Sequence, residues 1–381
     1  MKVYIFMFIW VIGWGIISSI YSRQVCVGEI NGVKQYENRS YLFFSILIFS
    51  VIILIAGLRS GVGDTPAYIK VFSEYPVTYE EAKSIILDPN ARENGFRLFS
   101  ILIKKFISDD FHIWLFIIAT ISGICIMIPL YKYSLSFSTS VFLFLATCQF
   151  TWMLNGMRQF LAASIAFACT PLILKDKKIP YILTIIILSS IHVSILIMIP
   201  AYFLVKSEPW SKKGIIFIFI IIMTLFFTNE FTSILNSVVE QTNYEASMEE
   251  FRDVDDGTSV IRIIVESVPV IIAFIYRDRI KEKLTPIIKI SINMSLVATG
   301  LYIISKIARS GILLGRLPIY FSLYNLILLP WLLNNLFEKK ERRLIYFNMV
   351  VCYFIFYYYQ NVVAWGGFSY ISDILNIKIY K

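Results

Sequence analysis

Residues 111–131 read FHIWLFIIATISGICIMIPLY, a run without one Asp, Glu, Lys or Arg. At the rise of an α-helix, about 1.5 Å per residue, that run crosses the roughly 30 Å hydrocarbon core of a bilayer. Comparable apolar segments lie on either side of it, at 3–21, 41–57, 137–154, 158–174, 214–228, 258–276, 286–304, 317–337 and 344–362. The whole 381-residue chain is 57% hydrophobic and 16% charged, with a mean hydropathy of +0.71. A water-soluble fold could not cover that much apolar surface, so lipid must solvate much of it. Irregular backbone and open sheet edges do not face hydrocarbon, and no ten-residue alternation of the barrel type is present. The expected fold is therefore all-α, a polytopic membrane helical bundle of about ten to twelve helices. The first segment has no small-residue cleavage pattern and reads as a retained span. No repeat, linker or low-complexity tract divides the chain, so 1–381 reads as one transmembrane domain.

The net charge of +9 does not point to nucleic acid, because Lys and Arg lie between apolar segments and form no basic stripe. Their placement sets orientation instead. Lys175, Lys177 and Lys178, then Lys206, Lys212 and Lys213, then Arg277, Arg279, Lys281 and Lys283, then Lys339, Lys340, Arg342 and Arg343 occupy short connections, which the positive-inside rule assigns to the cytoplasm. These loops agree only if 179–205, interrupted by Ser189-Ser190, His192 and Pro200, is a re-entrant or kinked pair with its tip outward. Counting outward from there puts 22–40 and 132–136 inside. Segments 58–110, 155–158, 229–257 and 305–316, with both termini, fall outside. Segment 229–257 is acidic and reads as a solvated cap. Within 58–110, residues from Glu93 to Ile107 have helical periodicity, with Phe96, Phe99, Leu102, Ile103 and Phe106 on one face and Arg97 and Lys104 on the other. An interfacial helix is expected there. Cys26, Cys125, Cys148, Cys169 and Cys352 are scattered and read as packing residues.

Charges at the hydrocarbon boundary are costly unless paired or wetted, so a set of them on one side marks a polar cavity. That set is Arg59, Asp64, Arg158, Arg309 and Arg316, with His192 at the hairpin tip. In RSGVGDTPAY, residues 59–68, Gly61 and Gly63 allow an anion-binding turn, and Asp64 as a helix cap stands one turn from Tyr68. Asp64 could also pair with Arg59 and hold the loop. In NGMRQFLAASIAF, Asn155-Gly156 makes a tight turn, and Arg158 and Gln159 open a helix at its positive end. His112, beside Asp109 and Asp110, reads as a boundary residue. With His112 and His192 the only histidines, no His or Cys spacing for a metal is present, and no metal or other cofactor is expected.

The succession of RSGVGDTPAY, Glu93-Asn94-Gly95-Phe96, MRQFLAASIAF, IHVSILI at 191–197 and GRLPIYFSLYNLILLP at 315–330 resembles the EpsG family of bacterial polysaccharide polymerases, relatives of the Wzy O-antigen polymerases. The likeness covers about three-quarters of the chain. It implies a metal-independent glycosyl transfer at the outer face of the cytoplasmic membrane, in which a glycan on one undecaprenyl diphosphate moves onto the sugar of another lipid-linked repeat unit. The partners it implies are those lipid-linked oligosaccharides, membrane lipid and a chain-length regulator protein. Such chemistry needs cationic donors for the departing diphosphate, which makes Arg59, Arg158, Gln159, Arg309, Arg316, Tyr68 and Tyr320 the expected substrate contacts. It also needs a proton acceptor for the attacking hydroxyl, and Asp64, Glu93 and His192 are the candidates. A flippase for the same lipid-linked sugars and an O-antigen ligase are the alternatives, although no repeat relates the two halves.

Overall fold

The structure is a computed structural model that describes residues 2–30, 33–76, 78, 83, 93–226, 257–311, 314–367 and 369–378. The acidic segment assigned to 229–257 lies outside the described residues, apart from its last position. Each of the ten apolar segments is helical where described, and the fold is an all-α, polytopic membrane bundle. Three helices are individually long and apolar enough to cross a membrane, α1 (Lys2–Ile20), α5 (Phe111–Tyr133) and α14 (Pro286–Ile307). A fourth crossing is made if the bent pair α6 (Phe137–Ala146) and α7 (Gln149–Asn155) counts as one span.

Contacts gather into two compact units, residues 1–199 with 329–381 and residues 200–328. In the first, α1 packs on α2 (Leu42–Gly57), α2 on α5, and α5 on α8 (Met157–Ala168). Small residues let α2 and α5 approach closely, as expected of helices packing in lipid. A Cβ on Gly57 would sit 3.0 Å from the Phe116 Cα, and one on Gly123 would meet Ile53. In the second unit α13 (Val260–Ile275) and α12 (Lys212–Phe226) pack on α14.

Several expected spans are broken, and the breaks have local causes. Segment 137–154 bends by 58° between α6 and α7. Thr147 donates its hydroxyl to the Leu143 carbonyl and Cys148 turns left-handed at φ 64°, which ends the helical ladder. Segment 158–174 divides at Cys169 into α8 and α9 (Thr170–Leu174). Segment 179–205 is interrupted as expected at Ser190–His192, between α10 (Lys178–Ser189) and a 3₁₀ turn at Val193–Ile197 that leads into α11 (Met198–Val205). Ser189 and Ser190 donate their hydroxyls back to Ile186 and Ile187, and His192 is extended. Pro200 lies inside α11 and is not the breaking residue.

One connection has structure of its own, and one reading is corrected. Within 22–40, β1 (Ser22–Ile30) and β2 (Val33–Ser40) pair antiparallel, with Ser22 opposite Ser40. The intervening Asn31-Gly32 dipeptide is the hairpin signal in the sequence. The helix expected from Glu93 is α4 (Asn94–Phe106), but its buried face carries Phe96, Ser100, Ile101 and Ile103. Leu98, Leu102 and Phe106 are exposed. The packed stripe follows Trp114 of α5, whose indole N–H donates to the Ser100 hydroxyl and whose ring stacks on Phe72 at 4.5 Å. Lys104 does not line a free polar face. Its ammonium donates to the carbonyls of Phe72, Ser73 and Tyr75, where α3 (Thr65–Glu74) ends and unpaired carbonyls attract a cation.

Candidate active site

The break at Ser190–His192 is where three distant sequence blocks meet. Glu93 precedes α4 in a left-handed conformation, φ 59°, ψ 38°, which costs a non-glycine residue about 1–2 kcal/mol. Its carboxylate is engaged on both oxygens, Oε1 by His192 Nδ1 and Oε2 by Arg158 Nη1. The Val193 backbone N–H also donates to it, so the first turn after the break closes on Glu93. Burial raises the carboxyl's pKa, but the hydrogen bond from His192 and the charge of Arg158 outweigh burial and leave it below its ordinary value of 4.5. Gly95 secures the docking from the other side. Its N–H donates to the Ser190 carbonyl at 2.9 Å, and a Cβ there would stand 2.8 Å from the Ser190 Cβ.

With Nδ1 committed to the carboxylate, His192 has Nε2 left, which no described residue engages. The ring retains some exposure. Arg158 begins α8 and is the member of the trio that also lines a cavity of about 370 Å³, together with Asp64, Tyr68, Tyr75, Arg97 and Trp114. Its guanidinium lies 5.8 Å over the Tyr68 ring. Gln159, one residue on, is buried and donates to the Ser194 hydroxyl, tying α8 to the 3₁₀ turn.

Arg59 behaves differently. It is only 1% exposed, and its guanidinium donates to the Ala56 carbonyl, to Thr65 Oγ1 at 3.0 Å and to Met157 Sδ at 3.3 Å. It therefore binds the end of α2 to the start of α3 and of α8, and presents no guanidinium to the cavity. The pairing of Arg59 with Asp64 does not form. Asp64 is exposed, makes no side-chain cap, and is held by its backbone N–H donating to Asn155 Oδ1 at 2.8 Å. A segment near the C-terminus fixes this loop, with Ile371 bridging Gly61 and the Tyr370 hydroxyl donating to the Ile55 carbonyl at 2.8 Å. Arg309, exposed at φ 46°, half-buried Arg316 and buried Tyr320 belong to the unit 200–328.

That second unit contains a polar cluster that the sequence reading passed over. Arg262 and Glu266 stand one turn apart on α13, 3.8 Å between Nη2 and Oε1, and both are almost fully buried. Asn325 donates to Glu266 Oε2 at 3.2 Å, and the Arg262 guanidinium lies 5.6 Å over Tyr302. Two opposite charges four apart inside the apolar segment 258–276 were the available signal. No group of three His, Cys, Asp or Glu side chains is gathered for a metal among the described residues. Asp253-Val254-Asp255, a carboxylate pair of metal-binding spacing within the acidic segment, lies outside them.

Fold and site together define a helical membrane protein whose broken helix holds a histidine, a carboxylate and a guanidinium in one hydrogen-bonded group. The chain belongs to the EpsG family, whose family model matches residues 41–372, and this is a family of Wzy-type polymerases. No curated protein and no solved structure matches it. All three residues of the group fall within the matched region.

Proposed function

We propose that this protein is a polysaccharide polymerase of the bacterial cytoplasmic membrane. It transfers a glycan from one undecaprenyl diphosphate onto the terminal sugar of a second lipid-linked repeat unit at the outer face. The observation that carries the reading is the double engagement of Glu93 by His192 and Arg158. Glu93 orients the imidazole through Nδ1, so that Nε2 takes the proton from the attacking sugar hydroxyl. Arg158 keeps part of its guanidinium toward the cavity, where it stabilises the charge that develops on the departing lipid diphosphate. The glycosidic bond to the diphosphate breaks as the bond to the acceptor oxygen forms, and the proton rests on His192 until solvent removes it. Asp64 and Tyr68, on the cavity wall, contact the sugar. Arg316, Arg309 and Tyr320 are assigned to substrate contact on sequence grounds alone, while Arg59 keeps its loop in shape.

The reading uses no divalent metal and no cofactor, and a chain-length regulator would act as a separate partner. The test is a proteoliposome supplied with a lipid diphosphate-linked repeat unit. A ladder of products that persists in excess EDTA is expected. A labelled lipid that crosses the bilayer without being lengthened would make the protein a flippase, and transfer only to a lipid A core would make it a ligase. Loss of the ladder in EDTA with recovery in magnesium would overturn the metal-free mechanism and direct attention to Asp253 and Asp255.

A further inference from the structure

The cavity beside Arg158 contains a second guanidinium that neither the sequence reading nor the proton-transfer group uses. Arg97 lies in the first turn of α4 and lines the same cavity as Arg158. Its backbone N–H donates to the Glu93 carbonyl, but its guanidinium forms no hydrogen bond or ion pair with any described residue, whereas Arg158 already gives one nitrogen to Glu93. Both guanidinia and Tyr75 line this one cavity. Among the described residues Asp64 is the one carboxylate that lines it, against two guanidinia. The other described lining residues are the aromatic Tyr68, Tyr75, Phe96 and Trp114 with the aliphatic Ala67 and Val71. At about 370 Å³ the cavity lies at the small end of the range for small-molecule sites, about 300–1,000 Å³, and suits one compact polar group attached to an apolar or ring-shaped body.

We propose that this cavity is an oxyanion subsite, in which Arg97 and Arg158 together bind a phosphate or carboxylate and the aromatic and apolar wall receives the body that carries it. The proposal rests on the polymerase reading only for what brings the oxyanion there. Two substrates carry the chemistry, the diphosphate of the lipid carrier and an acidic sugar of the repeat unit. A guanidinium fork matches either group with two parallel donors, which an ammonium cannot reproduce.

The test is equilibrium binding to the purified full-length protein in lipid nanodiscs, with geranyl diphosphate as one probe and the methyl glycoside of glucuronic acid as the other. Wild-type protein is expected to bind one of them. Arg97→Gln should weaken that probe about tenfold or more, and Arg97→Lys should restore only part of the loss. Sensitivity confined to geranyl diphosphate assigns the subsite to the carrier, and sensitivity confined to the glycoside assigns it to an acidic sugar. Tyr75→Phe, which removes only a hydroxyl, provides a milder variant should Arg97→Gln unfold, and it should weaken the same probe. Binding of neither probe by wild type, or equal binding by wild type and both variants, would overturn the proposal. Because no turnover is needed, the two ideas fail separately. A protein that builds polymer but binds neither probe sinks the subsite alone, and one that binds an Arg97-sensitive probe but builds no polymer sinks the polymerase reading alone.

Discussion

The protein has two histidines, each paired through Nδ1 with a carboxylate, and the two pairs could hardly be placed more differently. His112 meets Asp110 at 2.9 Å, two residues away. Asp110 is half exposed and caps α5 by accepting from the His112 backbone N–H at 2.8 Å. Hydrogen bonds from His112 to its carboxylate lower the Asp110 pKa, the backbone one most. Everything in that pair is explained by starting a helix. His192 meets Glu93 across 99 positions of sequence, the carboxylate is 7% exposed, and a guanidinium closes its other side. Starting a helix does not require that arrangement, and Glu93 adopts a left-handed backbone to make it. The same two functional groups thus serve as a cap in one place and form an oriented, partly buried pair in the other. Burial and long-range assembly distinguish them.

The comparison can be broken by substitution. Glu93→Gln and His192→Gln should each lower the rate of chain extension by on the order of a hundredfold or more at unchanged protein abundance, since a positioned general base contributes about that much. His112→Gln should leave the ladder as in wild type. A loss of polymer in His112→Gln equal to that in His192→Gln would erase the distinction. Next in size is Gly95→Ala. The added methyl must push α4 away from Ser190, an overpacking that costs about 1–3 kcal/mol, so thermal unfolding should occur earlier and chain extension should fall with it. An unshifted transition would show that the close approach does not hold the site.

A pH series sharpens the contrast further. The folded-state pKa of Glu93 is depressed, so its contribution to stability is complete above the ordinary value of 4.5 and is lost as pH falls through the lower folded value. The wild-type protein should therefore lose more unfolding temperature on acidification through the carboxylate range than Glu93→Gln does. Parallel curves for the two would show that the carboxylate adds no pH-dependent stability. The smallest effect belongs to the cap. Asp110→Ala should cost about 1 kcal/mol, visible as faster hydrogen exchange in the first turn of α5 with the polymer ladder retained.

The amino-acid sequence carried the helical bundle in full view, because runs such as 111–131 have one physical solution in lipid. It also placed the interruption at Ser190–His192, where serine hydroxyls and a lone imidazole disturb an apolar run. It did not disclose which face of α4 packs, since Leu102 and Phe106 are as apolar as Phe96 and only Trp114 decides between them. Glu93, His192 and Arg158 were each legible as candidates, but not as one hydrogen-bonded group, because contacts over 65 and 99 residues leave no periodic trace. Arg59 reads as a substrate contact in the sequence because a charge at a span end normally reaches water. The carbonyl of Ala56 and the hydroxyl of Thr65 satisfy it inside instead. Arg262 and Glu266 are harder to see, because the apolar residues around them dominate segment 258–276 and only their spacing of four signals that the two charges pair inside it.

The account stands on Glu93 and His192 acting as one unit, and a double-mutant cycle on chain extension tests this most directly. Rates from proteoliposomes are compared for wild type, Glu93→Gln, His192→Gln and the double variant. The expected result is that the double variant is no slower than the slower single one, because removing either member already disables the pair. Losses that multiply, or a His192→Gln protein that extends chains at the wild-type rate, would contradict it.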